Sequence, residues 1–374
     1  MSATIVGKLF SHMQSSPNDI AFRYLQDLET APQELSYKTL WLEAASIADF
    51  LRGIANPGDC IMLFFPPGMA YIKAFYGCLL AGMVAVPLYP PRRNIKSDRI
   101  LSVAQSCQSS VALTTQSELE NIQVSWSEQN SLDLSLDFYA TDSLVLTSQS
   151  LTSCPDTDPS LPAFLQYTSG STGSPKGVII THSNIVANVA YLSFKAGGTK
   201  EDVFVNWLPL FHDLGLITAV LWPVYLGAPS TLMAPATFVR NPVVWLKAIS
   251  QYRGSMCGAP NFAYELCTNK ISAFELSDLD LSSWRVAYNA AEPVRAETLN
   301  NFSEYFSVCG FKPEAFYPGY GMAEATVFIT GGDSLVKPAQ LTVNKKILSE
   351  HKLELINEDD SNAIKIVACG SALP

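Results

Sequence analysis

Positive charge is in short supply in this 374-residue chain: 24 lysines and arginines face 34 aspartates and glutamates, a formal net charge of −10 at pH 7. A nucleic-acid surface needs a clustered basic patch, so nucleic acid is excluded as a partner, and the same sign disfavours adhesion to anionic lipid. Long hydrophobic runs are missing too. The nearest to one, Ala74 to Leu88, is broken by Gly77, Gly82 and Pro87. It falls short of the roughly eighteen unbroken apolar residues that span a bilayer, so no membrane insertion is expected. The opening Met1-Ser2-Ala3-Thr4 has neither the basic start nor the apolar core of a secretion signal. The eight cysteines contain no Cys-x-x-Cys pair, and the four histidines show no metal-ligand spacing. Reduced core thiols in a cytoplasmic protein are the expectation, and the acidic balance suits a monomer.

What is present is ample apolar material: 48% hydrophobic against 16% charged residues, more than one ordinary core can use. An amphipathic helix is expected from Ser36 to Arg52, with Leu40, Ala44, Ala48 and Leu51 on one face. The run Cys60 to Phe65 reads as a buried strand, Met69 to Ala81 as a helix and Val84 to Leu88 as a second strand. This βαβ unit implies a parallel sheet covered by helices. A further βα pattern runs through Arg99 to Thr115, and Ser148 to Pro162 reads as a loop. Beyond it, helices fit Ser183 to Phe194, Leu214 to Leu226, Pro242 to Tyr252, Asn261 to Ile271 and Ala296 to Phe306. Strands fit Val203 to Leu208 and Trp284 to Tyr288. The fold class is therefore α/β: two stacked parallel-sheet subdomains with ligands at their shared crevice, and the start of a third, smaller β subdomain. The boundaries, approximate because the subdomains interleave, are 1–160, 161–333 and 334–374.

The densest chemistry lies in Tyr167-Thr168-Ser169-Gly170-Ser171-Thr172-Gly173-Ser174-Pro175-Lys176-Gly177. Glycines let backbone N–H groups turn inward, hydroxyls add donors and Lys176 adds a point charge, which together make a cradle for a polyphosphate. A flexible Ser/Gly linker would have no need of Pro175-Lys176-Gly177. The loop is not a Walker A motif, because Lys176 follows proline and precedes glycine, and no Gly-x-Gly-x-x-Gly opens a helix. The wording resembles the phosphate loop of the adenylate-forming superfamily.

Three further phrases carry the same resemblance in the same order: Trp207-Leu208-Pro209-Leu210-Phe211-His212-Asp213-Leu214-Gly215-Leu216-Ile217, then Tyr288-Asn289-Ala290-Ala291-Glu292-Pro293, then Tyr317-Pro318-Gly319-Tyr320-Gly321-Met322-Ala323-Glu324. With Ala85 to Pro91 and Gly258 to Cys267, they make the chain similar to the fatty acyl-AMP ligases from about Ser36 to Gly370. The resemblance implies an enzyme that joins a medium- or long-chain fatty acid to ATP, giving acyl-AMP and pyrophosphate, with Mg²⁺ as cofactor and an acyl carrier protein as acceptor. It implies phosphate contacts from Thr168, Ser169, Gly170, Ser171, Thr172, Gly173 and Lys176, and an adenine site from Asn289, Ala290, Ala291, Glu292, Tyr320, Gly321, Met322 and Ala323. Glu324 would hold Mg²⁺ and His212 would orient the carboxylate, so that Lys176, His212 and Glu324 form the catalytic set. Trp207, Leu216, Ile217, Met233 and Phe262 would border the acyl chain. Ala290 stands where the family has glycine, a cost if that backbone needs a positive φ.

The histidine before Asp213 and the Gly215-Leu216-Ile217 after it fit an uncharged acyl chain better than an amino acid. The polar stretch from Leu335 to Val367 resembles the insertion that separates acyl-AMP ligases from acyl-CoA synthetases. The family's later elements have no counterpart before Pro374, so an N-terminal portion without the C-terminal domain, weakly active alone, is expected. An acyl-CoA synthetase and a non-catalytic acyl-nucleotide binding module stay open as alternatives.

Overall fold

The computed structural model describes residues 3–90, 98–127, 136–144, 153–168 and 175–371. Two large sheets carry the fold. The eight-stranded sheet runs, from one edge to the other, Phe328–Gly331, Phe316–Gly321, Val286–Asn289, Met256–Ala259, Phe204–Asn206, Ser230–Met233, Ile20–Leu25 and Gln33–Ser36. Its six inner strands pair in parallel, and only the two edge strands are antiparallel to their neighbours. The six-stranded sheet runs Asp137–Ala140, Val111–Thr114, Cys60–Phe64, Val84–Leu88, Pro162–Thr168 and Lys176–Thr181. A small antiparallel pair, Gln340–Asn344 with Ala363–Val367, completes the set. The α/β class with mostly parallel sheets is as the sequence implies. The sheets share the chain unevenly, however: Pro162–Thr168 and Lys176–Thr181 finish the six-stranded sheet, and Ile20–Leu25 lies in the eight-stranded one.

Local sequence accounts for the elements that frame these sheets. Ser36 caps the helix Tyr37–Arg52, its hydroxyl accepting the Thr39 N–H at 3.2 Å. Cys60–Phe64 and Val84–Leu88 pair in parallel from Cys60 opposite Val84, with the helix Met69–Ala81 as the crossover. Thr181 and Asn184 form a reciprocal capping box that starts the helix His182–Ala196, and Gly197 ends it in the left-handed region. No helix among the described residues is long and apolar enough to cross a membrane.

One packed aromatic cluster fills the space beside the large sheet. Trp245 meets Trp284 edge-on at 5.2 Å, and Tyr264, Phe302, Phe311 and Phe316 interlock around Trp284 and one another. A charged clasp closes the edge of the large sheet where the strands Phe204–Asn206, Met256–Ala259 and Val286–Asn289 begin. Arg285 donates to both Asp202 oxygens, at 2.9 and 2.6 Å, and to the carbonyls of Ala196 and Gly197 at the helix end. Ser255 adds a hydroxyl to Asp202 at 2.7 Å. Burial raises the Asp202 pKa, and the hydrogen bonds from Arg285, Ser255 and Thr199 outweigh it, so the carboxyl stays below its usual range. Replacing Arg285 by alanine strands a buried carboxylate, and chemical denaturation of the variant is expected to show a loss of about 3 kcal/mol or more. A loss under about 1 kcal/mol would mean the clasp behaves as a surface pair.

Candidate active site

Parallel strands deliver their following loops to one edge, and this is where the chemistry-bearing residues gather. The chain leaves strand Phe204–Asn206 for Trp207 to Asp213, leaves Val286–Asn289 for Ala290 to Glu292, and leaves Phe316–Gly321 for Met322 to Glu324. A cavity of about 170 Å³ opens among these loops. His212, Asp213, Ala290, Ala291, Tyr320 and Gly321 line its mouth side, and Leu192, Trp222, Val286, Val327 and Phe328 give it an apolar interior.

His212 stands at the start of the helical stretch from Asp213 to Leu226, its backbone carbonyl accepting the Leu216 N–H at 2.9 Å. Its Nδ1 pairs with Asp213 Oδ1 at 2.5 Å, and the same oxygen accepts the Leu214 N–H at 2.7 Å. The Asp213 hydrogen bond raises the His212 pKa above its ordinary value, against the opposing effect of burial. With Nδ1 engaged, Nε2 is the nitrogen left for a ligand. Asp213 is correspondingly spent on the imidazole and on the helix start.

The turn that carries Glu324 is tightly built. Thr326 sits at φ 71° and ψ −60°, and the Val327 N–H returns to the Ala325 carbonyl at 2.9 Å, a γ-turn that ordinarily carries strain. Gly321 makes the doubling-back possible: a Cβ there would lie 1.5 Å from the Val327 carbonyl oxygen. Asn188 then pins the turn from the helix His182–Ala196. Its Nδ2 donates to the carbonyls of Ala325 and Phe328 at 3.0 and 2.9 Å, and its Oδ1 accepts the Phe328 N–H at 3.2 Å. Glu324 and Thr326 share a hollow of about 300 Å³ with Ile179 and Ile180. The flank of the hydroxyl-rich loop therefore lies against the glutamate turn. Ser169, Gly170, Ser171, Thr172 and Gly173 lie outside the described residues; Thr168 and Lys176 face each other where the two flanking strands begin to diverge.

The remaining expected residues divide. Asn289 is fully buried and donates to Asn261 Oδ1 at 3.3 Å. Glu292 accepts the Phe262 N–H at 2.6 Å and so caps the helix Asn261–Lys270. It also lines, with Ala291, Tyr320 and Gly321, a second hollow of about 310 Å³ adjoining the cavity. Tyr320 and Met322 are exposed there and Ala323 is buried. The positive φ anticipated for Ala290 falls one residue later, on Ala291 at 73°. Trp207, Leu216, Ile217 and Met233 are core residues, Phe262 is partly exposed, and none of the five lines the cavity. Trp207 instead stacks on Phe238 at 4.0 Å, because successive residues leaving a strand point to opposite faces. Sequence reasoning missed Leu192, Thr218, Trp222, Tyr317 and Phe328, which look like ordinary core residues in their own segments and meet only in the fold.

Residues 9–364 match the model of the AMP-binding enzyme family. The chain belongs to the AMP-binding enzymes. Within that adenylate-forming family it is fatty acyl-AMP ligase-like. The medium-chain-fatty-acid–(acyl-carrier-protein) ligase JamA of Moorena producens is 36% identical over 365 residues, 96% of this chain and 61% of that protein. The long-chain-fatty-acid–AMP ligase FadD32 of Mycolicibacterium smegmatis is 32% identical over 363 residues, covering 94% and 57%. A fatty acyl-adenylate ligase from L. pneumophila, solved with acyl adenylate and pyrophosphate, superposes with a TM-score of 0.92 at 34% identity, over 100% of this chain and 64% of that one. The chain thus spans about 60% of the length of the curated relatives it matches.

The raised His212 pKa sets a sign for pH dependence. A protonated imidazole favours an anionic ligand, so affinity for a carboxylate placed at His212 is expected to be highest below that pKa and to fall as pH rises through it. Titration of an alkanoate beside a non-hydrolysable ATP analogue, from pH 6 to 8.5, should show this fall in the native chain. His212→Ala should bind about tenfold more weakly at the acid end, with a flat profile. An unchanged profile would remove His212 from carboxylate recognition.

Proposed function

We propose that this chain carries the substrate-binding machinery for activating a fatty acid by adenylation. A carboxylate oxygen attacks the α-phosphorus of ATP, the bond from that phosphorus to the bridging oxygen breaks, and pyrophosphate leaves with the electron pair. The observation that carries the reading is the single cavity in which His212, the Ala290-Ala291 turn and the Tyr320-Gly321 strand end meet an apolar interior. The carboxylate is itself the nucleophile, so the reaction needs no general base; positioning and charge stabilisation suffice.

In this reading the adenine lies between the Ala290-to-Glu292 turn and Tyr320, in the hollow that adjoins the cavity. The triphosphate reaches the hydroxyl-rich loop and Lys176, and the carboxylate faces His212. Mg²⁺ fits the residues present. The Glu324 carboxylate is exposed on a pinned turn, and no hydrogen bond or ion pair engages it among the described residues. No cluster of three or more His, Cys, Asp or Glu side chains able to hold a metal occurs among them either. One carboxylate plus substrate phosphates is the ordinary way Mg²⁺ is held, and the ion would supply charge neutralisation at the phosphates.

An uncharged tail suits the pocket, because Asp213 is committed to His212 and, among the described residues, no other carboxylate lines the cavity. Its size favours the shorter end of the medium-to-long range: a cavity of about 150 Å³ holds one benzene, and this one is about 170 Å³. Transfer of the acyl group to the thiol of an acyl carrier protein is the second half of the proposal, supported by the carrier-protein ligases among the relatives. The test is pyrophosphate exchange into ATP by the full-length protein with medium-chain fatty acids, free amino acids and no acid. Exchange is expected with the fatty acids alone, falling about 100-fold in Lys176→Ala and in Glu324→Ala. Exchange driven only by an amino acid, or none in any arm, would overturn the assignment.

A further inference from the structure

The apolar cavity has one polar stripe, and its hydrogen bonds run in one direction. Thr218 Oγ1 donates to the Leu214 carbonyl at 2.6 Å, an acceptor that can do nothing else. With its only hydrogen committed there, Thr218 Oγ1 accepts from the Tyr288 hydroxyl at 3.1 Å. The Tyr288 oxygen in turn accepts from Asn206 Nδ2 at 2.5 Å. Both Thr218 and Tyr288 line the cavity, both are buried, and each oxygen keeps an unused lone pair but no unused hydrogen.

The placement is built rather than incidental. Gly258 lies in register with Tyr288 on the neighbouring strand, and a Cβ there would sit 2.3 Å from the Tyr288 ring. The absent side chain lets the ring lie across that strand and reach Asn206. The helix bearing Thr218 widens at this point, with the Trp222 N–H bonding back to the Ile217 carbonyl five residues earlier, an irregularity frequent at functional sites. On the adjacent strand Tyr317, in register with Tyr288, also lines the cavity, and its buried hydroxyl has no hydrogen-bond partner among the described residues. A further polar group of the wall, the Trp222 indole N–H, is already given to Ser193 Oγ at 2.8 Å.

We infer that the acyl pocket selects a chain bearing a hydroxyl group part-way along its length, which donates to the Thr218–Tyr288 pair, over a plain alkyl chain. Thr218 lies six residues beyond His212 on one helical stretch, about 9 Å along its axis. Each bond of an extended chain advances somewhat less than its ~1.5 Å length, which places the hydroxyl near the seventh or eighth carbon. A plain methylene there leaves buried oxygens facing hydrocarbon, whereas a hydroxyl satisfies one of them and can also accept from Tyr317. This deepens the fatty-acid reading and rests on it.

The experiment is calorimetric titration of the chain, with a non-hydrolysable ATP analogue and Mg²⁺ present, by three acids of one length: octanoate, 7-hydroxyoctanoate and 7-oxooctanoate. The hydroxy acid is expected to bind about fivefold tighter than octanoate and tighter than the oxo acid, which has no hydrogen to give. Thr218→Val releases the Tyr288 hydrogen towards the cavity, so the preference for hydroxy over oxo should vanish or invert. Thr218→Val combined with Tyr288→Phe removes both accepting oxygens and should leave the hydroxy acid no advantage over the oxo acid. Octanoate matching the hydroxy acid in the native chain, or an unchanged ratio in Thr218→Val, overturns the hydroxyl inference and leaves the fatty-acid reading standing. Failure of all three acids to bind beside the nucleotide overturns the fatty-acid reading itself.

Discussion

Direction of travel is the constraint on which the site depends. Because the six inner strands of the large sheet run the same way, every loop that follows one emerges at the same edge. His212, Ala290, Ala291, Tyr320 and Gly321 are spread over more than a hundred residues of chain, yet they face one cavity. An antiparallel sheet of the same strands would have sent half of them to the far side. The cost of this arrangement is that each parallel pair needs a long crossover, and one crossover, Asp213 to Leu226, together with the helix His182–Ala196 that links the two sheets, supplies further walls of the cavity.

Rigidity at that edge is concentrated where charge must be handled. The γ-turn at Thr326 and the positive φ of Ala291 are both unfavourable for residues with a Cβ, by about 1 to 3 kcal/mol each. They persist because neighbours over-determine them: Asn188 holds the glutamate turn through three hydrogen bonds, and Asn261 accepts the Arg295 N–H just beyond the Ala290–Glu292 turn. Strain held in this way presents a carboxylate and a flat backbone surface with little reorganisation left to make on ligand binding. Asp213 plays the same part for His212, fixing which ring nitrogen faces the cavity.

Much of this was legible in the residues, for identifiable reasons. The helix Met69–Ala81 and the strands on either side are bounded by Pro66-Pro67-Gly68 and Gly82, strong punctuation that leaves little latitude. The four-residue strands Ser230–Met233 and Met256–Ala259 were not readable, since they are buried on both faces and show neither alternation nor length. The motif phrases picked out His212, Ala291 and Tyr320, which the fold brings to one cavity, and Glu324 beside it, because each stands in the loop or strand end of its own phrase. The cavity's lining was not legible, because motif neighbours need not be cavity neighbours. Trp207 adjoins the His212 phrase but packs on Phe238, while the cavity draws single residues such as Leu192, Trp222 and Phe328 from distant helices and strands. Only three-dimensional register, as between Tyr288 and Tyr317, brings such residues together.

The central claim is that nucleotide and acyl chain share one edge of the large sheet, with the carboxyl carbon beside His212. A crystal structure of the chain with a stable acyl-adenylate mimic, an acyl sulfamoyl adenosine, tests it most directly. The account predicts the adenine against Tyr320 and the Ala290–Glu292 turn, and the acyl tail directed between Thr218 and Tyr317 towards Trp222. A tail lying instead over Trp207 and Phe262, or an adenine ring remote from Tyr320, would contradict it.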